Sequence, residues 1–304
     1  MEYILETNNL TKKYGKFQLL TDINMHIPKN SIYGLIGKNG AGKTTLIRII
    51  TGLQRPTSGT YSIYNTAYNN KMVLKERNRI SAIIESPAIY SNLSAKDNLM
   101  EQYKIIGRPI IDKEVDKILE LVGLNNTGKK LARYFSLGMR QRLGIAISLC
   151  SNPDFLILDE PINGLDPEGI IDIRELLLKL NNNGITILIS SHYLDELSKI
   201  ATYYGFVHDG KIVKEISAND LTRSMRKRIE VKVNEVKDLV KYLELNNISY
   251  EVINNNTIYI YDKINLSDIV IKLSKTNCIV ESITEHEETL ENYYMNLIGG
   301  FNNE

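Results

Sequence analysis

The octapeptide GKNGAGKT, residues 37–44, constrains the fold of this chain more than any other feature. It matches the pattern G-x-x-x-x-G-K-[ST] and lies between the apolar run IYGLI and the helical pattern TTLIRII. Its glycines allow backbone N–H groups to point at phosphate oxygens, and the following helix offers its positive end. The sequence therefore predicts a strand, a phosphate-binding loop and a helix in direct succession. The residues predicted to contact a nucleotide are Gly37, Lys38, Asn39, Gly40, Ala41, Gly42, Lys43, Thr44 and Thr45.

A second segment, FLILDE, predicts the catalytic side of the same site. A buried strand that ends in two carboxylates is unfavourable unless a cation or a reactant neutralises them. We predict that Asp159 and the Thr44 hydroxyl hold Mg²⁺, that Glu160 takes a proton from the attacking water, and that Lys43 bridges the β- and γ-phosphates. Alone, such a strand often just runs into a turn. The phosphate loop upstream favours the functional interpretation.

The order of patterns predicts two domains. Through about residue 215, short β-branched runs alternate with helical patterns, which is typical of an α/β fold with a mainly parallel sheet. A helical insertion is predicted at about 86–150, within a first, nucleotide-binding domain at 1–222. The order β-α-β-β-α-β predicts a small ferredoxin-like α+β domain at 223–304, after the basic stretch RSMRKR.

Composition narrows the class of protein. Lys+Arg 37 against Asp+Glu 36 gives a net charge of +1, which argues against a nucleic-acid-binding protein. Cys150 and Cys278 lie far apart in the sequence, so neither a disulfide framework nor a zinc site is expected. This use of cysteine is typical of a protein in a reducing compartment. Neither a signal peptide nor a membrane-spanning run is predicted. If the protein acts at a membrane, we expect another chain to span it.

With these segments in this order, residues 3–215 resemble the ATP-binding subunits of ABC transporters, which are P-loop NTPases. The resemblance implies ATP and Mg²⁺ as cofactors, ATP hydrolysis, and a second ATP-binding subunit as partner, expected to form a homodimer. Each ATP would lie between the phosphate loop of one copy and the signature of the other. It also implies separately encoded integral membrane permease subunits and a cytoplasmic location at the inner face of the cell membrane.

The resemblance assigns roles to residues outside the phosphate loop. Tyr14, in TKKYGK, looks like the aromatic residue that stacks on adenine. Ser136 and Gly138, in YFSLGMRQR, occupy the place of the signature that faces the γ-phosphate held by the other subunit. Here Leu137 replaces a glycine and Met139 replaces the glutamine, so the usual contact of that glutamine side chain is not expected.

Two further positions match the family after the carboxylate pair. Asp166, in NGLD, resembles the loop that crosses the dimer interface and is assigned to nucleotide binding. His192, in ILISSH, resembles the switch histidine that contacts the γ-phosphate and takes part in catalysis. A lone histidine at the end of a strand is more often structural, but this one ends the next buried strand after Asp-Glu.

One departure narrows the resemblance. Glu85 stands where the family has a glutamine that touches Mg²⁺ and the attacking water, so we assign it to the metal site. A carboxylate there keeps the oxygen ligand but loses the amide donor and adds a negative charge. Together with FSLGM, it resembles the branch of lantibiotic-immunity and bacitracin-resistance ATPases, whose membrane subunits contact the peptide cargo. An incidental substitution in another ABC ATPase is the alternative.

Three functions therefore stay open at this point. The first is the ATPase of an exporter of antimicrobial peptides. The second is an ABC ATPase for another cargo, such as a lipid, an ion or another drug. The third is a soluble ABC ATPase without a transport role, which the single phosphate loop and the lack of a heptad run disfavour. The C-terminal region, which ends in a pattern typical of a short closing helix, could regulate, dock or stabilise the dimer.

Overall fold

The computed structural model describes residues 2–225, 227–262, 264–273 and 278–301. Arg226, in the middle of the basic stretch that follows the first domain, lies outside the described residues.

The chain divides into two compact units, Met1–Ala218 and Asn219–Glu304. The predicted domains, 1–222 and 223–304, stay a prediction. The strands are β1 (Tyr3–Tyr14), β2 (Phe17–Ile23), β3 (His26–Pro28), β4 (Ile32–Ile36), β5 (Ser58–Ile63), β6 (Thr66–Ala67), β7 (Ile80–Ile83), β8 (Phe155–Asp159), β9 (Thr186–Ser191), β10 (Tyr203–His208), β11 (Lys211–Ser217), β12 (Lys227–Val233), β13 (Tyr250–Asn254), β14 (Thr257–Ile260) and β15 (Val280–Glu287). The helices are α1 (Lys43–Ile50), α2 (Val73–Arg77), α3 (Ala95–Ile105), α4 (Asp112–Leu121), α5 (Leu137–Leu149), α6 (Pro167–Asn182), α7 (Leu194–Ser198), α8 (Ala218–Ser224), α9 (Lys237–Leu245), α10 (Leu266–Leu273) and α11 (Leu290–Phe301).

The first unit is built around a six-stranded sheet in the order β11-β10-β4-β9-β8-β7. The strands from β10 to β7 run parallel, and β11 joins the edge antiparallel to β10. Every residue of β4, β8 and β9 is buried, as expected for parallel strands covered by helices on both faces. The predicted α/β fold with a mainly parallel sheet is confirmed.

A second sheet in this unit was not predicted. β1 pairs antiparallel with β2, β3 and β5, and β6 extends the sheet beyond β5. β1 does not alternate strictly, since Ile4 and Leu5 are both buried, as are Leu10 and Thr11, and its pairing is interrupted by shifts in register. Because these irregularities break the period of two, the sequence pattern alone gave a weak strand signal.

The segment between β7 and β8 holds the helices α3, α4 and α5. Ser94 caps α3 and Ser136 caps α5. Each serine side chain accepts a hydrogen bond from the backbone N–H three residues later in the chain. Gly144 of α5 lies against Pro87, which leaves no room for a side chain at position 144. The segment that follows β7 therefore packs closely on α5.

The second unit has one antiparallel sheet in the order β13-β14-β12-β15. Its core combines strand residues such as Val231 and Ile258 with Leu239 and Leu243 of α9 and Ile269 of α10. The chain order β-α-β-β-α-β with this strand order is the predicted ferredoxin-like arrangement. The closing helix predicted from the last residues is α11.

Cys150 and Cys278 are buried and form no disulfide with each other. Burial raises the pKa of the Cys150 thiol to about 12, and it also raises the pKa of the Cys278 thiol. Among the described residues, no helix combines the length and the apolar character needed to cross a bilayer.

Candidate functional site

The phosphate loop, Glu85, the Asp159–Glu160 pair and His192 meet at one edge of the parallel sheet. β4, β7, β8 and β9 are parallel neighbours, so their carboxyl ends lie together. The phosphate loop follows β4, Asp159 ends β8, and His192 follows β9. Glu85 comes two residues after β7. Crevices at the carboxyl ends of parallel strands are the usual ligand sites of open α/β sheets.

The phosphate loop depends on its glycines. Gly40 and Gly42 have φ of 84° and 99°, in the left-handed region that side chains disfavour. A Cβ at Gly42 would lie 2.5 Å from a methyl group of Leu20, and one at Gly37 would lie 2.7 Å from the carbonyl oxygen of Val207. Gly42 is the N-cap of α1, so the first N–H groups of that helix face the loop. This geometry suits an anion at the helix start.

Lys43 supplies the cation of the loop. Its Nζ donates to the carbonyl oxygen of Gly37 at 2.6 Å and to that of Lys38 at 3.4 Å. The same nitrogen lies 3.3 Å from Oε1 of Glu160, and only 6% of the Lys43 side chain is exposed. A buried ammonium is stable because these oxygens surround it. Lys43 therefore lies between the loop backbone and the predicted general base.

Asp159 is the most buried acid of the site, with 3% of its surface exposed. Its Oδ2 accepts a hydrogen bond from the Thr44 hydroxyl at 2.8 Å, and its Oδ1 accepts one from the Ser190 hydroxyl at 2.5 Å. A hydroxyl and a carboxylate that converge in this way offer the hard oxygen ligands that Mg²⁺ prefers. Since Mg²⁺ usually takes only one or two protein ligands and completes its shell with phosphate and water, the two residues fit the ion.

Glu160 contacts His192 through its side chain and β9 through its backbone N–H. Its Oε2 lies 2.8 Å from Nδ1 of His192, and its N–H donates to the carbonyl and hydroxyl oxygens of Ser190. Its φ of 52° is unusual for a residue with a side chain. A strained backbone that several hydrogen bonds hold in place is common at functional sites. The arrangement orients a carboxylate and an imidazole toward each other, as a base and its positioning partner require.

Two cavities adjoin at these residues. One, of about 270 Å³, is lined by Lys38 to Thr45 together with Leu19, Glu160, Asn163 and His192. The other, of about 460 Å³, shares Thr44, Glu160 and Asn163 and is lined also by Glu85, Ser86, Pro87, Ile89, Leu137, Arg140, Gln141 and Asp159. Leu19, Asn163 and Ser190 were missed by sequence reasoning. The serine pair before His192 was the one available signal, since polar residues in a buried strand are unusual.

Tyr14 lies apart from both linings. It ends β1, its hydroxyl donates to Oε1 of Gln54 at 2.8 Å, and 47% of its surface is exposed. Lys12 lies 5.2 Å from the centre of its ring. The structure does not bring the tyrosine into either cavity. Its assignment to adenine stays a prediction.

Ser136, Gly138 and Asp166 lie at the starts of two helices, and the two side chains with oxygens cap those helices. The Ser136 hydroxyl accepts from the N–H of Met139 at 3.2 Å. Asp166 caps α6, where its Oδ1 accepts from the N–H of Gly169 at 3.2 Å. Gly138 lies in the first turn of α5, where an added Cβ would meet only carbon atoms at 3.8 Å or more. These residues present two helix starts rather than contacts to the phosphate loop.

Glu85 lines the larger of these two cavities, and its side chain pairs with Arg48 of α1. The two side chains form an ion pair of 2.5 Å, and 65% of the Glu85 side chain is exposed. The carboxylate is thus at the mouth of the cavity that Thr44 and Asp159 also line.

Comparisons with known proteins identify the relatives of this chain. A family model described as ABC transporter matches residues 20–163. The bacitracin transport ATP-binding protein BcrA of Enterococcus faecalis is 42% identical over 303 residues, which are 99% of this chain and 98% of that protein. The lantibiotic transport ATP-binding protein SrtF of Streptococcus pyogenes is 45% identical over 212 residues, 70% of this chain and 90% of that protein.

A solved structure supports the fold. It is a dimeric ATP-binding cassette in a post-hydrolysis state, bound to ADP and Pi, and it matches this chain with a TM-score of 0.62 at 25% identity. The match covers 70% of this chain and 98% of the cassette.

Proposed function

Because this chain belongs to the ATP-binding subunits of ABC transporters, a family that hydrolyses ATP, we propose that it powers the export of antimicrobial peptides of the bacitracin or lantibiotic type. The observation that carries ATP hydrolysis is a set of contacts at one edge of the sheet: Lys43 with Glu160, Glu160 with His192, and Thr44 with Asp159. Cation, base, positioning histidine and metal ligands are thereby all within reach of one phosphate group.

We assign the steps of hydrolysis to these side chains. Lys43 would exchange its bonds to the loop carbonyls for phosphate oxygens, which leaves Glu160 without its cation. Glu160 would then accept the proton of the attacking water, while His192 holds the carboxylate in position. Mg²⁺, held by Thr44 and Asp159, would neutralise part of the phosphate charge.

We propose that two copies of the chain complete two sites. Ser136 and Gly138 begin α5, and Asp166 begins α6, so each presents N–H groups and a positive helix end. An anion held by another chain would complement these helix starts. The dimeric cassette with ADP and Pi supports this arrangement for the fold.

The cargo assignment rests on the relatives and on Glu85. The names of BcrA and SrtF refer to bacitracin and lantibiotic transport, and BcrA matches almost the whole chain, including the second unit. Both names favour a peptide antibiotic over a lipid, an ion or another drug, and over a role without transport. The peptide itself would be contacted by membrane subunits.

We further propose that integral membrane permease subunits hold this chain at the inner face of the cell membrane. A cavity of about 880 Å³ is lined by residues of β7, α3 and α5 and by Pro87 and Ala88. This cavity includes the start of the segment 87–99, which we expect to transmit ATP-driven movement to the permease. Crosslinking from a cysteine introduced at Ala88 to the permease would test the contact.

Growth of a susceptible host tests the function. A host that carries the chain with its permease subunits is expected to tolerate higher concentrations of bacitracin or of a lantibiotic than one with the Glu160→Gln chain. Unrelated drugs and equal expression of both chains are the controls. Unchanged sensitivity across the peptide panel would favour another cargo, and absent ATP hydrolysis by the purified chain would contradict the enzymatic role.

A further inference from the structure

The ion pair between Arg48 and Glu85 links the phosphate-loop helix to the segment that leaves β7. Arg48 lies one turn beyond Thr44 on α1, so both side chains leave the same face of that helix. Glu85 reaches this face because β7 pairs with β8 in parallel, with Ile83 beside Leu158. The helix that offers the Thr44 hydroxyl to Asp159 therefore also offers a guanidinium to Glu85.

Glu85 occupies a strained turn. The N–H of Ser86 donates to the carbonyl oxygen of Ile84 at 2.8 Å, and Glu85 between them has a φ of 64°. Three-residue turns of this kind with a positive φ are rare and unfavourable for residues with side chains. Such a conformation persists only where other contacts hold it. Within the part of the chain that the structure describes, Arg48 is the side-chain hydrogen-bond partner of Glu85.

The strained turn is coupled to the signature helix. Pro87, two residues after Glu85, packs on Gly144 so closely that no side chain would fit there. Gly144 belongs to α5, which begins at the signature. A change in the conformation of Glu85 would thus move a residue in direct contact with α5.

We propose that Arg48 is a positioning residue for ATP hydrolysis that acts through Glu85. Its ion pair holds the segment 85–87 in the strained turn, and it competes with the nucleotide site for the Glu85 carboxylate. Glu85 lines the cavity that Thr44 and Asp159 also line, and there the guanidinium of Arg48 occupies its carboxylate. The proposal rests on the proposed function, because it concerns the same nucleotide site.

Steady-state kinetics of the full-length chain test this competition. Arg48→Ala is expected to lower the KM for Mg·ATP by about two- to fivefold with a smaller change in kcat, since an exposed ion pair withholds only part of the population. Arg48→Lys keeps the charge and is expected to restore the KM. In a Glu85→Gln background, Arg48→Ala is expected to have no further effect on KM. An unchanged KM, or an equal shift in that background, would overturn the proposal.

Hydrogen exchange without nucleotide gives a readout that does not depend on activity. Arg48→Ala is expected to speed the hydrogen exchange of the Ser86 amide by about two- to fivefold and to leave the exchange of the α1 amides unchanged. Faster exchange throughout α1 would make Arg48 a merely structural residue. Lys104→Ala, which removes an exposed ion pair with Glu101 on α3, is the matched control and should alter neither measurement.

The proposed function and the proposed role of Arg48 can be contradicted independently of each other. If the unsubstituted chain neither hydrolyses ATP nor binds it, the proposed function is wrong, and the exchange experiment still decides whether Arg48 holds the turn. If the unsubstituted chain hydrolyses ATP and Arg48→Ala matches it in both measurements, only the role of Arg48 is wrong.

Discussion

The two halves of the proposed nucleotide site differ in what their side chains contact. On the phosphate-loop side, Lys43 contacts Glu160, Glu160 contacts His192, and Thr44 contacts Asp159. On the signature side, the side chains of Ser136 and Asp166 accept hydrogen bonds from N–H groups of the helices that they cap. The first half is a network within one chain, whereas the second half consists of separate helix starts. A network of this kind performs chemistry, and a helix start binds an anion that something else delivers.

The contrast predicts that substitutions in the first half act within one chain and that those in the second half act on a partner. The following experiments test this contrast, from the largest expected effect to the smallest.

Glu160→Gln should have the largest effect. Loss of the general base is expected to slow hydrolysis by about 10²–10⁴-fold, while ATP binding persists because Lys43 and the loop are intact. Single-turnover hydrolysis and gel filtration with ATP would measure the loss and a trapped dimer. Hydrolysis at the unsubstituted rate would contradict the assignment of the base.

Lys43→Ala should weaken nucleotide binding strongly. ATP affinity is expected to fall by about 100-fold, because the phosphate loses its cation and faces the Glu160 carboxylate without compensation. Equilibrium binding of a fluorescent ATP analogue would measure it, with thermal unfolding to verify the fold. Tight binding by this variant would remove Lys43 from the site.

Ser136→Ala should slow hydrolysis by about tenfold, with a loss of about 1 kcal/mol of stability from the missing cap. Its affinity for ATP in dilute solution should be unchanged, since the phosphate loop is untouched. Ser94→Ala, which removes the corresponding cap of α3, is the matched control for stability alone.

Mixing the Lys43→Ala chain with the Ser136→Ala chain tests whether the two halves of a site come from different copies. A dimer of one Lys43→Ala chain and one Ser136→Ala chain has one intact site, formed by the phosphate loop of one copy and the signature of the other. A random mixture should therefore recover about a quarter of the unsubstituted activity. If mixing restores nothing, the signature acts within its own chain and the contrast is wrong.

Tyr14→Ala should have the smallest effect. Loss of an aromatic face for stacking is expected to weaken ATP binding by about fivefold, at the low end for base stacking because the ring is half exposed. Tyr14→Phe, which removes only the bond to Gln54, should bind ATP normally. Equal binding of ATP and of inorganic triphosphate by the unsubstituted chain would argue against any base contact.

The sequence predicted the phosphate-loop side well because its residues follow buried strands at fixed spacing. Lys43, Asp159, Glu160 and His192 come together because parallel neighbours end at one edge of the sheet. Glu85 was placed at the same edge, but Arg48 was not identified as its partner. An arginine in the last turn of a helix has many possible orientations, and nothing in the pattern selects one. The irregular register of β1 likewise left the position of Tyr14 undetermined.

The two buried thiols have a practical consequence for spectroscopy of this chain. Maleimides and methanethiosulfonates react with thiolates, so Cys150, with its strongly raised pKa, should stay unlabelled in the native protein, and Cys278 should react slowly. The natural sequence is then a near-silent background for labels attached to introduced surface cysteines. Spin labels near Glu85 and Ser136 could report the distance between the two halves of the site without any prior removal of native cysteines.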